Sequence, residues 1–564
     1  MSKAEIPAGP VAHDTEVDLL VIGSGTGLAA ALSAEELGLD VLVAEKANVI
    51  GGSTALSGGA YWVPANPALI RDGFKDTVES GREYLGAIVE DSPTDRWNSF
   101  LENGPEAIAM VERTTPLEFF WAEGYSDYHP ENPGGAAIGR TCESKPLDAS
   151  VLGEERGRLR ATSMAAPIPM PVTGADYKWM NLMTRTPLTS FPKIIKRVVQ
   201  GVGGLAIKRE YTAGGQALAA GLFAGTIDAG IPIWTRTMLV ELIEEDGEVK
   251  GAILEQDGKR VTVKARKGVV LAAGGFDHNM EMRRKYQSET LKKDISLGAE
   301  TNEGDAIVAA EKVGAGLRLM HEAWWFPSVT PLTEGGAPMV LLSERALPGS
   351  IIVDETGKRF VNEATGYMGF GQTVLENRAN GREIKDMWLV MDQKYRNRYV
   401  FAGSVFPTMP FPKEWYDAGV VVRGDNPREL AEKMGVPVQA FTTELREFNQ
   451  MAEAGIDGDF HRGDSAYDRY YGDPTVKPNP NLRPIEGKLY AVHVSLSDLG
   501  TCGGLMADGA ARVQREDGTV IPGLYAIGNT AGNTFGHVYP GAGATISQGL
   551  VFGHLAAKDA ATRK

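Results

Sequence analysis

A strand, a glycine turn, a helix and a second strand are packed into the stretch from Asp18 to Glu45, and this unit constrains the fold more than anything else in the chain. Asp18-Leu19-Leu20-Val21-Ile22 is a short apolar run of the kind buried in a parallel sheet. Gly23-Ser24-Gly25-Thr26-Gly27 follows at once. Leu28 to Leu37 then reads as a helix stopped by Gly38, and Val41-Leu42-Val43-Ala44 as the second strand. Two parallel strands joined by a helix commit the chain to an α/β sheet with a right-handed crossover.

The same unit predicts a ligand. Gly23 permits the tight turn, Gly25 lets backbone approach a pyrophosphate, and the helix start offers free N–H groups to an anion. Glu45 lies about twenty residues beyond, where an acid accepts hydrogen bonds from ribose hydroxyls. The third glycine of G-x-G-x-x-G would fall at Leu28, so Gly27 stands one place early. A bare glycine-rich turn is the alternative, but strand, helix and acid are all in place. The expected nucleotide set is Gly23, Gly25, Thr26, Gly27, Glu45 and Lys46.

Gly51-Gly52-Ser53-Thr54-Ala55-Leu56-Ser57-Gly58-Gly59 follows directly. A nicotinamide enzyme has no usual need for a second glycine-serine cradle there. A flavoprotein does, because amides and small hydroxyls must meet both the pyrophosphate and the isoalloxazine. Gly52, Ser53, Thr54, Ser57, Gly58 and Gly59 therefore join the set. Two more strands run into small residues, Gly268 to Phe276 and Gly523 to Asn529. Both are expected in the same sheet, and they add Ala273, Gly274, Gly528 and Asn529. The prediction is FAD, in a Rossmann-like domain with a parallel sheet, interrupted by a second α+β catalytic domain. The boundaries are 1–325 and 499–564 for the FAD-binding parts, with an insertion at about 150–210, and 326–498 for the catalytic part. FAD is expected to be non-covalent, since Gly51–Gly59 contains no His, Cys or Tyr.

Composition excludes other classes. A net charge of −16 argues against nucleic acid as a partner. Two cysteines, Cys142 and Cys502, form no disulfide scaffold and no zinc site by themselves, and no metal is expected. The first sixteen residues are polar, with Pro7 and Pro10, and do not read as a signal peptide. No apolar run is long enough to span a bilayer. A cytoplasmic, reducing setting follows as the expectation.

Near the C-terminus stands Gly536-His537-Val538-Tyr539-Pro540-Gly541-Ala542-Gly543-Ala544-Thr545. The proline stiffens this turn and the glycines leave amides unshielded. Tyr128 and Tyr367 stand in unusual settings, but most of seventeen tyrosines must be packing residues. Read by residues alone, Tyr539 is balanced between function and packing, and Tyr128 and Tyr367 read first as packing. Tyr467, Tyr470 and Tyr471 read as structural, Trp324 and Trp325 as interface core, and His537 as structural or flavin-packing.

Gly-Gly-Ser-Thr-Ala-Leu-Ser-Gly-Gly, Gly-Tyr-Ser-Asp-Tyr (124–128), Arg-Phe-Val-Asn-Glu-Ala (359–364), Asp-Leu-Gly-Thr-Cys-Gly-Gly (498–504) and His-Val-Tyr-Pro-Gly-Ala-Gly (537–543) resemble the 3-ketosteroid Δ1-dehydrogenases, within the succinate dehydrogenase/fumarate reductase flavoprotein group. The resemblance runs from about residue 17 to about 556. It implies FAD, a 3-oxo steroid, loss of the 1α hydrogen as hydride to flavin N5, and loss of the 2β hydrogen as a proton. It also implies that Tyr539 and the Gly543 amide hold the C3 oxygen, that Tyr367 is the base, and that Tyr128 supports it. Ala544 joins the cofactor set beside Gly543. A phenol used as a base needs neighbours that favour the phenolate, because a free tyrosine titrates near about 10. The electron acceptor is read as external and quinone-like, or artificial in an assay. Rival readings are a Δ4-(5α)-dehydrogenase, a dicarboxylate reductase using Arg345, Arg359 and His321, and an electron carrier without a substrate pocket.

From Tyr177 to Arg209 every charge is positive: Lys178, Arg185, Lys193, Lys196, Arg197, Lys208 and Arg209. Apolar residues 191, 194, 195, 198, 199 and 202 recur at helical spacing opposite Lys193, Lys196 and Arg197. The plain reading is a helix facing the core with solvated lysines. The functional reading is a peripheral membrane contact.

Overall fold

The computed structural model describes all 564 residues except 1–5, 7–8, 163–167, 290, 292, 383 and 564. Pro7 and part of the polar N-terminal stretch, and five residues of the insertion, therefore lie outside the described residues.

The predicted unit forms as read. Strand Thr15–Ile22 runs parallel to Val41–Ala44, with Leu19 opposite Val41 and Ile22 opposite Ala44. The helix between them spans Gly27–Glu36, and Gly38 turns the chain back with φ +81°. On the other side Thr15–Ile22 pairs in parallel with Lys259–Leu271, which pairs in parallel with Val520–Ala526. Both late segments thus enter the first sheet. Its order is 512–514, 520–526, 259–271, 15–22, 41–44, 233–234, and the hairpin strands Thr237–Glu245 and Glu248–Gln256 bring it to eight. Leu19, Leu20, Val21, Val43, Val270 and Leu271 are almost wholly inaccessible, as strands covered on both faces must be.

Gly27 is explained by this packing. A Cβ there would stand 3.0 Å from both the Ala272 Cβ and the Val21 Cγ1. It does the close helix–strand work of the third motif glycine, one place early.

Between Leu271 and Arg512 the chain builds a second, six-stranded sheet. Its order is 339–340, 323–329, 489–501, 387–392, 350–354, with 421–424 also paired to 489–501. All its pairings are antiparallel. Separate apolar clusters fill its two faces. The long strand Leu489–Thr501 ends at Asp498–Thr501, beside the first sheet, where the Thr501 hydroxyl accepts from the Phe276 amide at 3.0 Å.

The basic segment forms two helices, Gly174–Asn181 and Pro187–Ala206, the second longer at both ends than the predicted 191–202. Its apolar stripe is not in the core: Ile195 is 58% and Val199 64% exposed, and Leu188, Phe191 and Val202 are exposed too. The plain reading of a core-facing helix therefore fails. Three cations of the basic segment are paired within the fold, Arg185 with Asp473, Arg197 with Asp176 and Arg209 with Asp148. Lys193 and Lys196 remain exposed. Among the described residues, no helix is long and apolar enough to cross a membrane.

Candidate active site

One cavity runs from the first glycine turn to the C-terminal tyrosine motif. Its wall includes Gly23, Gly25, Thr26, Glu45, Lys46, Gly52, Ser53, Thr54, Ser57, Gly58, Gly59, Ala273, Gly274, Gly528, Asn529 and Gly543, together with Tyr128, Tyr367 and Tyr539. Two expected residues are not on it. Gly27 packs against Ala272 as described, and Ala544 is fully buried at the start of the C-terminal helix.

The nucleotide end fits a dinucleotide. Gly23 has φ +109°, and a Cβ on it would lie 2.3 Å from the Ala272 carbonyl oxygen, so only glycine makes this turn. Gly58 is different: its Cβ would meet nothing within 4 Å, so the fold does not require glycine there. The missing side chain keeps that wall open to a cofactor. Glu45 already accepts from Ser24 N at 2.9 Å, Ser24 Oγ at 2.6 Å and Ala47 N at 2.7 Å. A carboxylate has about four lone-pair sites, so one acceptor direction remains for a ribose hydroxyl. Lys46 is committed to Asp305, at 2.6 Å, and Glu303. Ser53 Oγ accepts from the Ala299 amide and from Asn302 Nδ2, both at 2.9 Å, which leaves its hydrogen free to donate.

The three tyrosines converge although more than four hundred residues separate the first from the last. The Pro540 carbonyl accepts from the Tyr128 amide at 3.0 Å and from the Tyr84 hydroxyl at 2.8 Å. Those bonds dock the segment 124–128 onto the C-terminal motif. Asp127 anchors it from behind, through Trp62 Nε1 at 2.9 Å and a buried ion pair with Arg140. Tyr128 stacks on Tyr539 with ring centroids 5.1 Å apart, Tyr367 meets Tyr539 at 5.2 Å, and Tyr128 meets Tyr367 edge-on at 5.6 Å. Trp324 closes the back of Tyr539 at 4.9 Å and bonds Asn529 Oδ1 through its indole at 3.0 Å.

Two placements were not legible beforehand. Gly543, at φ +95°, is the N-cap of the nineteen-residue helix Ala544–Thr562. Its amide therefore sits at the positive end of a long helix, where negative charge is stabilised. Tyr367 is the first residue of the helix Tyr367–Ala379.

Electrostatics set burial against the help of neighbouring phenols. Burial pushes the Tyr367 phenol well above its ordinary pKa, with Tyr539 adding to the rise and Tyr128 opposing it. Tyr128 is raised likewise, first by burial and then by the surrounding phenols. The phenol pair therefore does not by itself make Tyr367 a phenolate. Burial takes Tyr539 up to about 12, opposed by Tyr367 and by the Gly543 and Thr545 amides. Glu143, which sequence reading did not single out, also lines the cavity, and burial raises it to about 7 against the Ala175 and Gly174 amides. Tyr471 lines the cavity as well and donates to the Tyr125 hydroxyl at 2.7 Å.

The family model for the FAD binding domain matches residues 18–546. The 3-oxosteroid 1-dehydrogenase of Mycolicibacterium smegmatis is 45% identical over 97% of this chain and 97% of its own length. The chain belongs to the 3-ketosteroid Δ1-dehydrogenase family. The crystal structure of a member from Sterolibacterium denitrificans, in complex with 1,4-androstadiene-3,17-dione, superposes with TM-score 0.91 at 36% identity, covering 97% of this chain and all of that one. A 4-oxocyclohex-2-ene-1-carboxylate 5-dehydrogenase of Sinomonas cyclohexanicum is 36% identical over 96% of this chain and 93% of its own. This Δ1-dehydrogenase family member is thus an FAD-binding α/β oxidoreductase whose relatives include enzymes named for oxidising ring ketones.

His537 and the arginines of the rival reading lie elsewhere. His537 is not among the residues lining the cavity, and it faces Asp91 and Glu322. Arg359 is buried against Glu363 and Asp457, and Arg345 donates to the Glu363 and Thr365 carbonyls.

Proposed function

We propose that the protein introduces the C1–C2 double bond into 3-oxo steroids. The convergence of Tyr539, Gly543 and Tyr367 on one cavity carries the reading. A C–H beside a ketone is acidic only if charge on the ketone oxygen is stabilised. The Tyr539 O–H and the Gly543 N–H supply two donors for that oxygen, each worth about 3 kcal/mol. Tyr367 takes the C2 proton, with Tyr128 packed against its ring. FAD, when bound, supplies the acceptor for the hydride that leaves C1. Its phosphates are assigned to the 23–26 turn and the 52–59 cradle, and its ribose to Glu45.

A carboxylate substrate is disfavoured. The only cation among the described lining residues is Lys46, and it is held by two acids. A neutral steroid needs no such partner.

Anaerobic addition of 4-androstene-3,17-dione is expected to bleach the flavin and yield the 1,4-diene, while succinate leaves the colour unchanged. A product desaturated at C4–C5 from a 5α-saturated ketone, with no reaction at C1–C2, would move the assignment to the Δ4-(5α) activity. The electron acceptor is read as quinone-like.

We further read FAD as non-covalent, because the cradle Gly51–Gly59 contains no His, Cys or Tyr. Acid precipitation is expected to leave the yellow colour in the supernatant; colour retained in the pellet after washing in denaturant overturns this.

Finally, the exposed stripe of the helix Pro187–Ala206, flanked by Lys193 and Lys196, is read as a contact with an anionic membrane surface. Each lysine near such a surface contributes about 1 kcal/mol. The protein is expected to sediment with anionic vesicles at low salt, and Lys193→Glu with Lys196→Glu to release it while turnover of a water-soluble androstane ketone stays intact. Wild-type protein that remains in the supernatant at low salt ends this reading.

A further inference from the structure

His537 and its neighbours form a second constellation outside the cavity. His321 and Glu322 close the turn before strand Ala323–Val329. His537 arrives from the C-terminal motif. One ligating atom from each of the three can be chosen so that all lie within 4.8 Å of one another, and the two imidazole centroids are 5.1 Å apart. Asp91, in the connection between helices Val78–Ile88 and Thr94–Thr114, completes the group.

The hydrogen bonds orient these side chains as metal sites require. Asp91 Oδ2 faces His537 Nε2 at 2.6 Å. A carboxylate on one ring nitrogen fixes the tautomer and directs the other nitrogen outward as a ligand. That other nitrogen, Nδ1, lies 3.1 Å from Glu322 Oε1. Glu322 is held in turn: its Oε2 accepts from the Trp325 indole at 3.1 Å, leaving Oε1 on the His537 side. Two ligands at about 2.0–2.1 Å from a tetrahedral ion stand roughly 3.3 Å apart, close to the observed spacing. His321 is exposed and supplies the third ligand, and the fourth position stays open to water.

We propose that His321, Glu322 and His537 bind a divalent cation of the zinc class, with Asp91 and Trp325 orienting the ligands. Imidazole and carboxylate donors suit Zn²⁺, and two nitrogens in the set exclude Mg²⁺ and Ca²⁺ as its preferred ions. The cation would fasten the loop that carries Tyr539 to strand Ala323–Val329. That loop is already tied to the Tyr367 helix, since Gln372 Nε2 donates to the His537 carbonyl at 2.7 Å.

Calorimetric titration of the FAD-loaded enzyme with ZnCl₂ tests this. One saturable site per chain is expected, no comparable heat with MgCl₂, and a rise in Tm on saturation. His321→Ala should abolish the saturable heat and the Tm rise, while turnover without added metal stays near wild type, which shows that the variant is folded. Asp91→Asn should weaken binding about 10–100-fold, the usual cost of losing an orienting carboxylate. No one-to-one zinc binding to the wild type, or undiminished affinity in folded His321→Ala, overturns the proposal. Weak heats from several equivalent sites, unchanged by both substitutions, overturn it equally.

Discussion

Tyr367→Phe is expected to lower turnover at least about a hundredfold, the usual cost of losing a general base, while FAD stays bound. The substitution removes one oxygen and no ring, and the ring packs against Phe326, Tyr128 and Tyr539 at 4.9 to 5.6 Å. The pH profile makes the test sharper. Burial raises the Tyr367 pKa well above its ordinary value, so the resting group is a neutral phenol at neutral pH. Below such a pKa the phenolate fraction grows tenfold with each pH unit. The rate of steroid-driven flavin bleaching should therefore climb with pH through the neutral and mildly alkaline range, and the climb should vanish in Tyr367→Phe. Stopped-flow traces at several pH values check both. A variant with wild-type rate and wild-type slope places the base on another residue.

Tyr539→Phe is expected to slow flavin reduction by about a hundredfold, since one donor to the developing oxyanion is worth about 3 kcal/mol. The loss should fall on kcat with little change in KM, because the bond strengthens as charge develops. An effect on KM alone would make Tyr539 a ground-state contact. Gly543→Ala is a useful contrast. A Cβ there would stand 2.4 Å from the Ala60 carbonyl carbon and oxygen, and φ +95° disfavours any side chain. It should lower both rate and Tm, whereas Tyr539→Phe should leave Tm almost unchanged.

The two ends of the site were unequally readable. Residues 18–59 could be read directly, because a parallel strand, a glycine turn and a helix are local devices with local signals. Gly27 illustrates the limit: its glycine was visible, but the Ala272 and Val21 contacts that demand it come from other strands. The helix 187–206 was legible in its period but not in its burial, since period says which residues share a face and not what covers them. Asn302, which holds Ser53 at 2.9 Å, carries no local signal at all.

The sequence alone determined the class of fold, the dinucleotide turn and the residue types from which a site could be built. Each depends on backbone geometry within a few residues. Only the tertiary structure decided which of seventeen tyrosines face one another, that the Gly543 amide caps a nineteen-residue helix, and that burial raises the Tyr367 pKa. Those facts depend on desolvation and on the aim of distant groups. Neither exists until the second sheet and the C-terminal motif close on the first.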